Sequence, residues 1–290
     1  MTNTISLRCL LLAIAMTACP VSARDYTGGI IDAHAHVRFG GNDGLRPDQP
    51  VGTGDLRRLD AAAGIDRSAL IVMNWSGDMA ATRAKNDGVI AAAAADPTHF
   101  YPIASVHPAD GDQALAELER VAKLGVKQIK LHPNSQEFDV ADPAVARVTA
   151  RCGELGLAVL FDSFNPLDPG QLGKLLALSM KQPGTKFVFA HMGFSQFRET
   201  GVYALLKKMG TPGNVWFDLS AIAVFYAGSP VQDELVWTMR RIGMDRILFG
   251  SDWPTETPAN ALAAVRALRL TPEEQRMVLH DNIVGLLQLR

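Results

Sequence analysis

The fold class predicted by the sequence is α/β, a single (β/α)8 TIM barrel. Three observations predict it. Eight short β-branched or aromatic runs alternate with longer helix-forming stretches across residues 24–290. Most of the eight are unbroken apolar runs rather than alternating ones, the pattern of parallel strands covered on both faces. Eight strand–helix units in about 260 residues also match the size and repeat of such a barrel. A doubly wound open sheet would usually carry a glycine-rich phosphate turn after its first strand, whereas here that strand runs into AHAHVRFGG.

The elements follow in order. Residues 1–23 stand outside the barrel: Arg8, with no acid around it, precedes the apolar core Cys9 to Val21, and Val21-Ser22-Ala23 supplies small residues for a peptidase. A secretory signal peptide over 1–23 and an exported, periplasmic protein are therefore expected. Met16-Thr17-Ala18-Cys19 also resembles a lipoprotein box, so a lipid anchor at Cys19 is the alternative. No later run of eighteen apolar residues occurs, so no transmembrane span is expected in the mature chain. The predicted strands are Gly29 to His36, Ala69 to Trp75, His99 to His107, Val126 to His132, Leu157 to Ser163, Thr185 to His191, Asn214 to Ser220 and Arg246 to Asp252. Alanine- and leucine-rich segments such as DQALAELERVAKLG separate them. Asp142-Pro143, Asp168-Pro169, Ser229-Pro230 and Thr257-Pro258 each place a cap residue before a first-turn proline. Thr271-Pro272-Glu273-Glu274 is a capping box that opens the last helix. No Pro/Ser-rich linker marks a second domain, so residues 24–290 are taken as one barrel.

Composition narrows the function. With 28 Lys and Arg against 30 Asp and Glu, the net charge is −2 and there is no basic stripe for nucleic acid. At 48% hydrophobic residues the chain can offset its ordering entropy, which excludes a disordered protein. Three cysteines, two of them within 1–23, exclude a disulfide framework. Cys152 shares a helical stripe with Val145, Val148 and Leu155, where a buried small side chain is the simpler reading than a reactive thiol. A small-molecule substrate is the expected partner; a homo-oligomer stays open.

The polar residues sort by position. His34, His36, His107, His132 and His191 lie at the carboxyl ends of predicted strands, as do Asp162 and Asp252. In a barrel those ends form one rim, where active sites are built. In His34-Ala35-His36, residues i and i+2 of a strand face the same way, about 6–7 Å apart. Two imidazoles so placed can converge on one ion, and barrel closure brings Asp252 on the last strand beside them. Lys130 and His132 likewise share a face of the fourth strand. His107, followed by Pro108, is read as structural, and His99 and His280 are assigned no role.

IIDAHAHV, KLHP, FAHMG, FGSDWP and the ending TPEEQRMVLHDNIVGLLQL, in that order, resemble the amidohydrolase superfamily, and most closely its amidohydrolase-related (amidohydrolase 2) family. The resemblance covers Ile30 to Leu289. It implies a metal-dependent hydrolase-type barrel in which His34, His36 and Asp252 bind a divalent ion, usually zinc; manganese is the alternative because a more anionic ligand set here suits a harder ion. It also implies that His191 is catalytic. Members include lactonases, amidohydrolases and decarboxylases, some of them metal-free. The family's His-Thr-Gly after the fifth strand is replaced here by Asp162-Ser163-Phe164. Asp162 is therefore expected as an unusual fourth ligand in a more anionic site, and loss of the metal is the alternative.

The leading expectation is hydrolysis of a lactone, ester or amide bond in a small acidic molecule by a metal-bound hydroxide. Asp252 would act as general base and then acid, and His191 would hold the developing oxyanion. Lys130, His132, Arg38 and Trp253 are the expected substrate-binding residues, and Trp75 and Phe164 further wall candidates. The alternatives are a non-oxidative decarboxylase of the same family or a catalytically decayed periplasmic binding protein.

Overall fold

The computed structural model describes residues 25–39, 51–211 and 213–289. The expected signal peptide and Cys19 lie outside the described residues. The eight strands are β1 (Ile31–Asp32), β2 (Arg67–Ile71), β3 (Phe100–Ser105), β4 (Gln128–Leu131), β5 (Ala158–Asp162), β6 (Phe187–Ala190), β7 (Val215–Asp218) and β8 (Ile247–Leu248). All seven consecutive pairings are parallel and the order is sequential, β1 to β8. The ring closes through backbone contacts between the segments after β8 and β1: Ala33 donates to Phe249 O at 2.9 Å and His36 to Trp253 O at 2.8 Å. The fold is the expected (β/α)8 barrel.

The helices are α1 (Thr53–Ala63), α2 (Met79–Ala95), α3 (Asp112–Lys123), α4 (Pro143–Glu154), α5 (Gln171–Lys181), α6 (Phe197–Thr200), α7 (Val202–Lys208), α8 (Ile222–Tyr226), α9 (Gln232–Ile242), α10 (Pro258–Ala267), α11 (Pro272–Arg276) and α12 (Asn282–Leu287). Asp142 caps α4 and Thr257 caps α10, each before its proline, and Thr271 and Glu274 form the expected capping box. At two sites the helix starts later than the motif suggests. Asp168 accepts from Gly170 N and Ser229 Oγ from Val231 N, so each folds a turn, and α5 and α9 begin beyond it. Among the described residues no helix is long and apolar enough to cross a membrane.

Alternation along the strands splits the core in two. Ile71, Ile103, Leu160 and Val188 pack inside the barrel, while Phe161, Phe187, Phe189 and Phe217 pack outward under the helices. Rings of the outer set meet at 5.8–6.4 Å between centroids. Lys130 and Asp162 fall on the inner parity of β4 and β5, which sends their side chains to the barrel's interior. The first strand changes phase on its way to the rim. Ile31 and Ala33 belong to the inner cluster, but Ala35 and Val37 to the outer one. The shift is held by Asp32, whose Oδ1 accepts from His34 N at 2.9 Å, and it turns His34 and His36 inward. Cys152 is fully buried on α4 and burial pushes its thiol pKa up, as expected of an inert packing residue.

Candidate metal and active site

The C-terminal rim gathers most of the predicted residues. His34 Nε2 lies 3.3 Å from His36 Nε2, and Asp252 Oδ1 lies 3.3 Å and 3.6 Å from those two nitrogens. Donor atoms about 2.1 Å from one ion stand roughly 3.4 Å apart in a tetrahedron, so the three spacings fit a divalent cation. Burial pushes both imidazole pKa values down, and Lys130 pushes them further, leaving neutral rings with lone pairs to offer. Three protein donors at an accessible rim, rather than four in a closed shell, is the pattern of a catalytic metal centre.

The surrounding backbone explains why these side chains meet. Asp252 N donates to His34 O at 2.7 Å, and Asp32 Oδ1 accepts from both His34 N and Ser251 N at 2.9 Å. Burial raises the Asp32 pKa to about 7 against these bonds. Gly250 is required for closeness: a Cβ there would stand 2.7 Å from the His34 Cβ. His191, Met192, Phe194, Ala221 and Asp252 all have positive φ, a cluster of strained backbone at the functional end of the barrel.

A second layer holds His34 in place. Its Nδ1 donates to Asp218 Oδ2 at 3.0 Å, which puts the ring proton on Nδ1 and the lone pair on Nε2. Lys130 Nζ donates to that same Nε2 at 3.1 Å. Ser220 Oγ donates to Asp218 Oδ1, and Asp218 also accepts from His191 N at 2.9 Å. Burial would raise the Asp218 carboxyl pKa, but His34, His191 and Ser220 together hold it well below the carboxylate range. His34, His191 and Asp218 also cluster tightly enough to be considered as an ion site. The facing atoms of that group are already joined by hydrogen bonds through Ser220, whereas those of His34, His36 and Asp252 converge without such a bridge.

His191 sits between two acceptors. Its Nδ1 faces the carbonyl oxygen of Ser220 at 3.0 Å and its Nε2 faces Asp162 Oδ2 at 3.2 Å, acceptors on both sides. Burial opposes the charge, but Asp162, Asp252 and Asp218 outweigh it and the pKa rises to about 9. Asp162 Oδ2 also lies 3.4 Å from His132 Nε2. Burial works against its ionisation, yet His132, His191 and Lys130 hold its carboxyl well below the usual range. His132 Nδ1 accepts from Ser135 N at 3.2 Å, which leaves the proton on Nε2; burial lowers its pKa to about 4.

The structure thus brings together His34, His36, Asp252, Lys130, His132, Asp162 and His191. Asp162 is directed at two histidines and belongs to neither group of clustered ligand atoms. Arg38 bonds through its backbone N to Val51 O and does not line the pocket. Trp253 is 4% exposed and packs with Ala35, Val37 and Leu56 in the outer core. His107 binds the Gln136 carbonyl at 2.7 Å, and His99 is buried against Asp60 at 2.8 Å, both away from the rim chemistry. Asp218, Ser220 and Asp32 were not singled out from sequence. Asp218-Leu219-Ser220 closes the seventh strand much as Asp162-Ser163 closes the fifth, and that echo was the available signal.

A pocket of about 400 Å³ opens above these groups, lined by His132, Asp162, Phe164, His191, Phe194 and Asp252. A similar hollow of about 420 Å³ is built from residues where strands begin, such as Arg67 and Tyr101, at the end of the barrel remote from the histidines. An amidohydrolase family model matches residues 31–289. The chain belongs to the amidohydrolase family. No curated protein matches this amidohydrolase in sequence. Among solved structures it is similar to an uncharacterized TIM-barrel protein from Bordetella bronchiseptica, at 21% identity over 90% of this chain and 99% of that one, TM-score 0.75. It is also similar to a dihydroxybenzoic acid decarboxylase from Polaromonas sp. JS666 with bound manganese and the inhibitor 2-nitroresorcinol (18% identity, 90% and 97% covered, TM-score 0.71). A third is 5-carboxyvanillate decarboxylase from Novosphingobium aromaticivorans with manganese and 4-hydroxy-3-methoxy-5-nitrobenzoic acid (17%, 90% and 96%, TM-score 0.68). At these identities the likeness establishes the shared barrel.

Proposed function

We propose that this amidohydrolase is a metal-dependent, non-oxidative decarboxylase of a small carboxylic acid. The observation that carries the reading is His191, whose two ring nitrogens both face acceptors, so that it stands as an imidazolium beside the ligand cluster. Hydrolysis, the leading expectation from sequence, needs an acceptor for the proton of water; a standing proton donor suits the protonation of a carbon that has lost carbon dioxide. Two of the similar structures are decarboxylases of aromatic acids with bound manganese, which supports the same reading and makes manganese a candidate ion beside zinc.

His34, His36 and Asp252 would hold the ion. When bound, it would supply Lewis-acid stabilisation of negative charge on the substrate's oxygens. Lys130, buried beside His34, and the Nε2–H of His132 would orient the substrate carboxylate. Asp162 keeps His191 charged and fixes its ring against the pocket. The bond between carbon and carboxylate breaks, carbon dioxide leaves, and the electron pair left on carbon takes the His191 proton, which solvent then replaces. Asp162 on one side and the Ser220 carbonyl on the other favour the charged form of His191 for this step.

The test is release of labelled carbon dioxide from carboxyl-labelled benzoates, 2,6-dihydroxybenzoate and 5-carboxyvanillate among them, by protein supplied with Mn²⁺ or Zn²⁺. A parallel panel of lactones, esters and amides tests the hydrolytic alternative, in which Asp252 is the base. Label released with no turnover in the panel supports decarboxylation. Turnover of the panel alone overturns it.

A further inference from the structure

One wall of the pocket differs in character from its polar floor. Phe164, which follows β5, and Phe194, which follows β6, both line it, with ring centroids 5.1 Å apart. Phe225 on α8 continues the series 5.1 Å from Phe194, and Tyr226 lies 4.9 Å beyond it. The rings are tilted against one another by 43–51° within the phenylalanine series, so they present edges as well as faces. Phe225 does not line the cavity itself; it is 62% exposed and packs behind Phe194 as a large apolar ring left in water.

The backbone pays attention to the same place. His191, Met192, Gly193 and Phe194 run through four consecutive positive-φ conformations, with φ of 59°, 48°, 75° and 49°. Three of the four are not glycine, and such a stretch persists only where packing over-determines it. Its two ends deliver different groups to one cavity: His191 to Asp162 at the floor, Phe194 between Phe164 and Phe225 at the side. A loop that served only to place the histidine would have no need of the second strained aromatic. The combination suits a ligand with an anionic head and a flat apolar body.

We infer that Phe164 and Phe194, with Phe225 packed behind Phe194, form an aromatic wall that receives the planar ring of an aromatic carboxylic acid, with Phe194 the specificity-determining residue. This rests on the decarboxylase reading for the orientation of the acid group, and deepens it by naming the body of the substrate. Aromatic pairs in tilted or edge-to-face contact gain attraction beyond their buried area, so a flat ring should be preferred over a saturated one of similar size.

The test is calorimetric binding of salicylate and of cyclohexanecarboxylate to the full chain supplied with Mn²⁺, in the wild type and in Phe194→Leu and Phe225→Leu. Salicylate should bind about tenfold more tightly to the wild type. Phe194→Leu should weaken salicylate by roughly three- to tenfold while leaving cyclohexanecarboxylate within about twofold, since leucine keeps the apolar surface and loses the ring. Phe225→Leu, at an exposed position away from the strained loop, should shift salicylate in the same direction if Phe194→Leu fails to fold. Equal binding of the two acids by the wild type, equal weakening of both by the variants, or no binding of either would overturn the wall. Because binding is read without turnover, ring preference without carbon dioxide release would sink the decarboxylase reading alone. Carbon dioxide release without ring preference would sink the wall alone.

Discussion

Asp218 Oδ2 lies 3.0 Å from His34 Nδ1, and both side chains are buried. That one contact sets which nitrogen of His34 carries the proton, and so which one faces His36 and Asp252. An outer carboxylate of this kind raises the basicity of a ligating imidazole and fixes its rotamer. Asp218→Asn should therefore retain the barrel, by unchanged far-ultraviolet circular dichroism, and lose about 10–100-fold in metal affinity measured by chelator competition. Unchanged affinity would show that the His34 tautomer is set by something else.

Removing the ligands themselves should do more. His34→Ala with His36→Ala should abolish the stoichiometric Mn²⁺ or Zn²⁺ that elemental analysis is expected to find in the wild type. The melting temperature of the wild type should rise when ion is added, by the linkage of binding to stability, worth about 2.7 kcal/mol at a hundred times Kd. The double variant should show no such rise. An ion retained at full stoichiometry in the variant would move the site elsewhere, the His34, His191 and Asp218 group being already disabled in part by the same change.

Asp162 and His191 predict a pH dependence. The imidazolium of His191 is raised to about 9, so its proton is present through neutral pH and lost as the pH climbs past that value. Activity that uses this proton should fall on the alkaline side with a midpoint near there. Asp162→Asn removes the hydrogen-bonded charge and should move that midpoint toward the ordinary histidine range, with the sign fixed by loss of an anion that favours the charged form. Histidine resonances followed by NMR would check the shift without any substrate. A midpoint that stays in place would mean that Asp218 and Asp252 alone hold the proton.

Much of this is legible in the amino-acid sequence, and the reasons are physical. Continuous apolar runs such as Phe187–Ala190 mark strands covered on both faces, and the two-residue period placed His34 with His36 and Lys130 with His132. What period cannot show is a phase change. Asp32 holds the one between Ala33 and Ala35, and without it Ile31 and His34 would not both face inward. Nor does strand-end position distinguish a pocket wall from a core: Trp253 follows Asp252 directly, yet its backbone bridge to Ala35 turns it into the outer core. The partners of Asp162 were hidden for the same reason, because they come from β4 and β6 and depend on how three strands converge.

Lys130 yields the last prediction, in which two affinities should move in opposite directions. Its ammonium is buried, donates to the His34 nitrogen that would ligate the ion, and stands among Asp162, Asp218 and Asp252. Burial pushes its pKa down, and those three carboxylates push back toward the charged form. A charge so close to the cation repels it: at an effective dielectric of 20, two unit charges 4 Å apart interact by about 4 kcal/mol, and a divalent ion doubles that before relaxation. Lys130→Met should therefore tighten metal binding, by about tenfold or more in chelator competition, once the ammonium no longer competes for His34. The same substitution should weaken binding of carboxylate ligands, read as a higher KM or a poorer inhibition constant for benzoates, by at least about tenfold. If both affinities fall together, Lys130 supports the ion rather than opposing it, and its place in substrate binding fails.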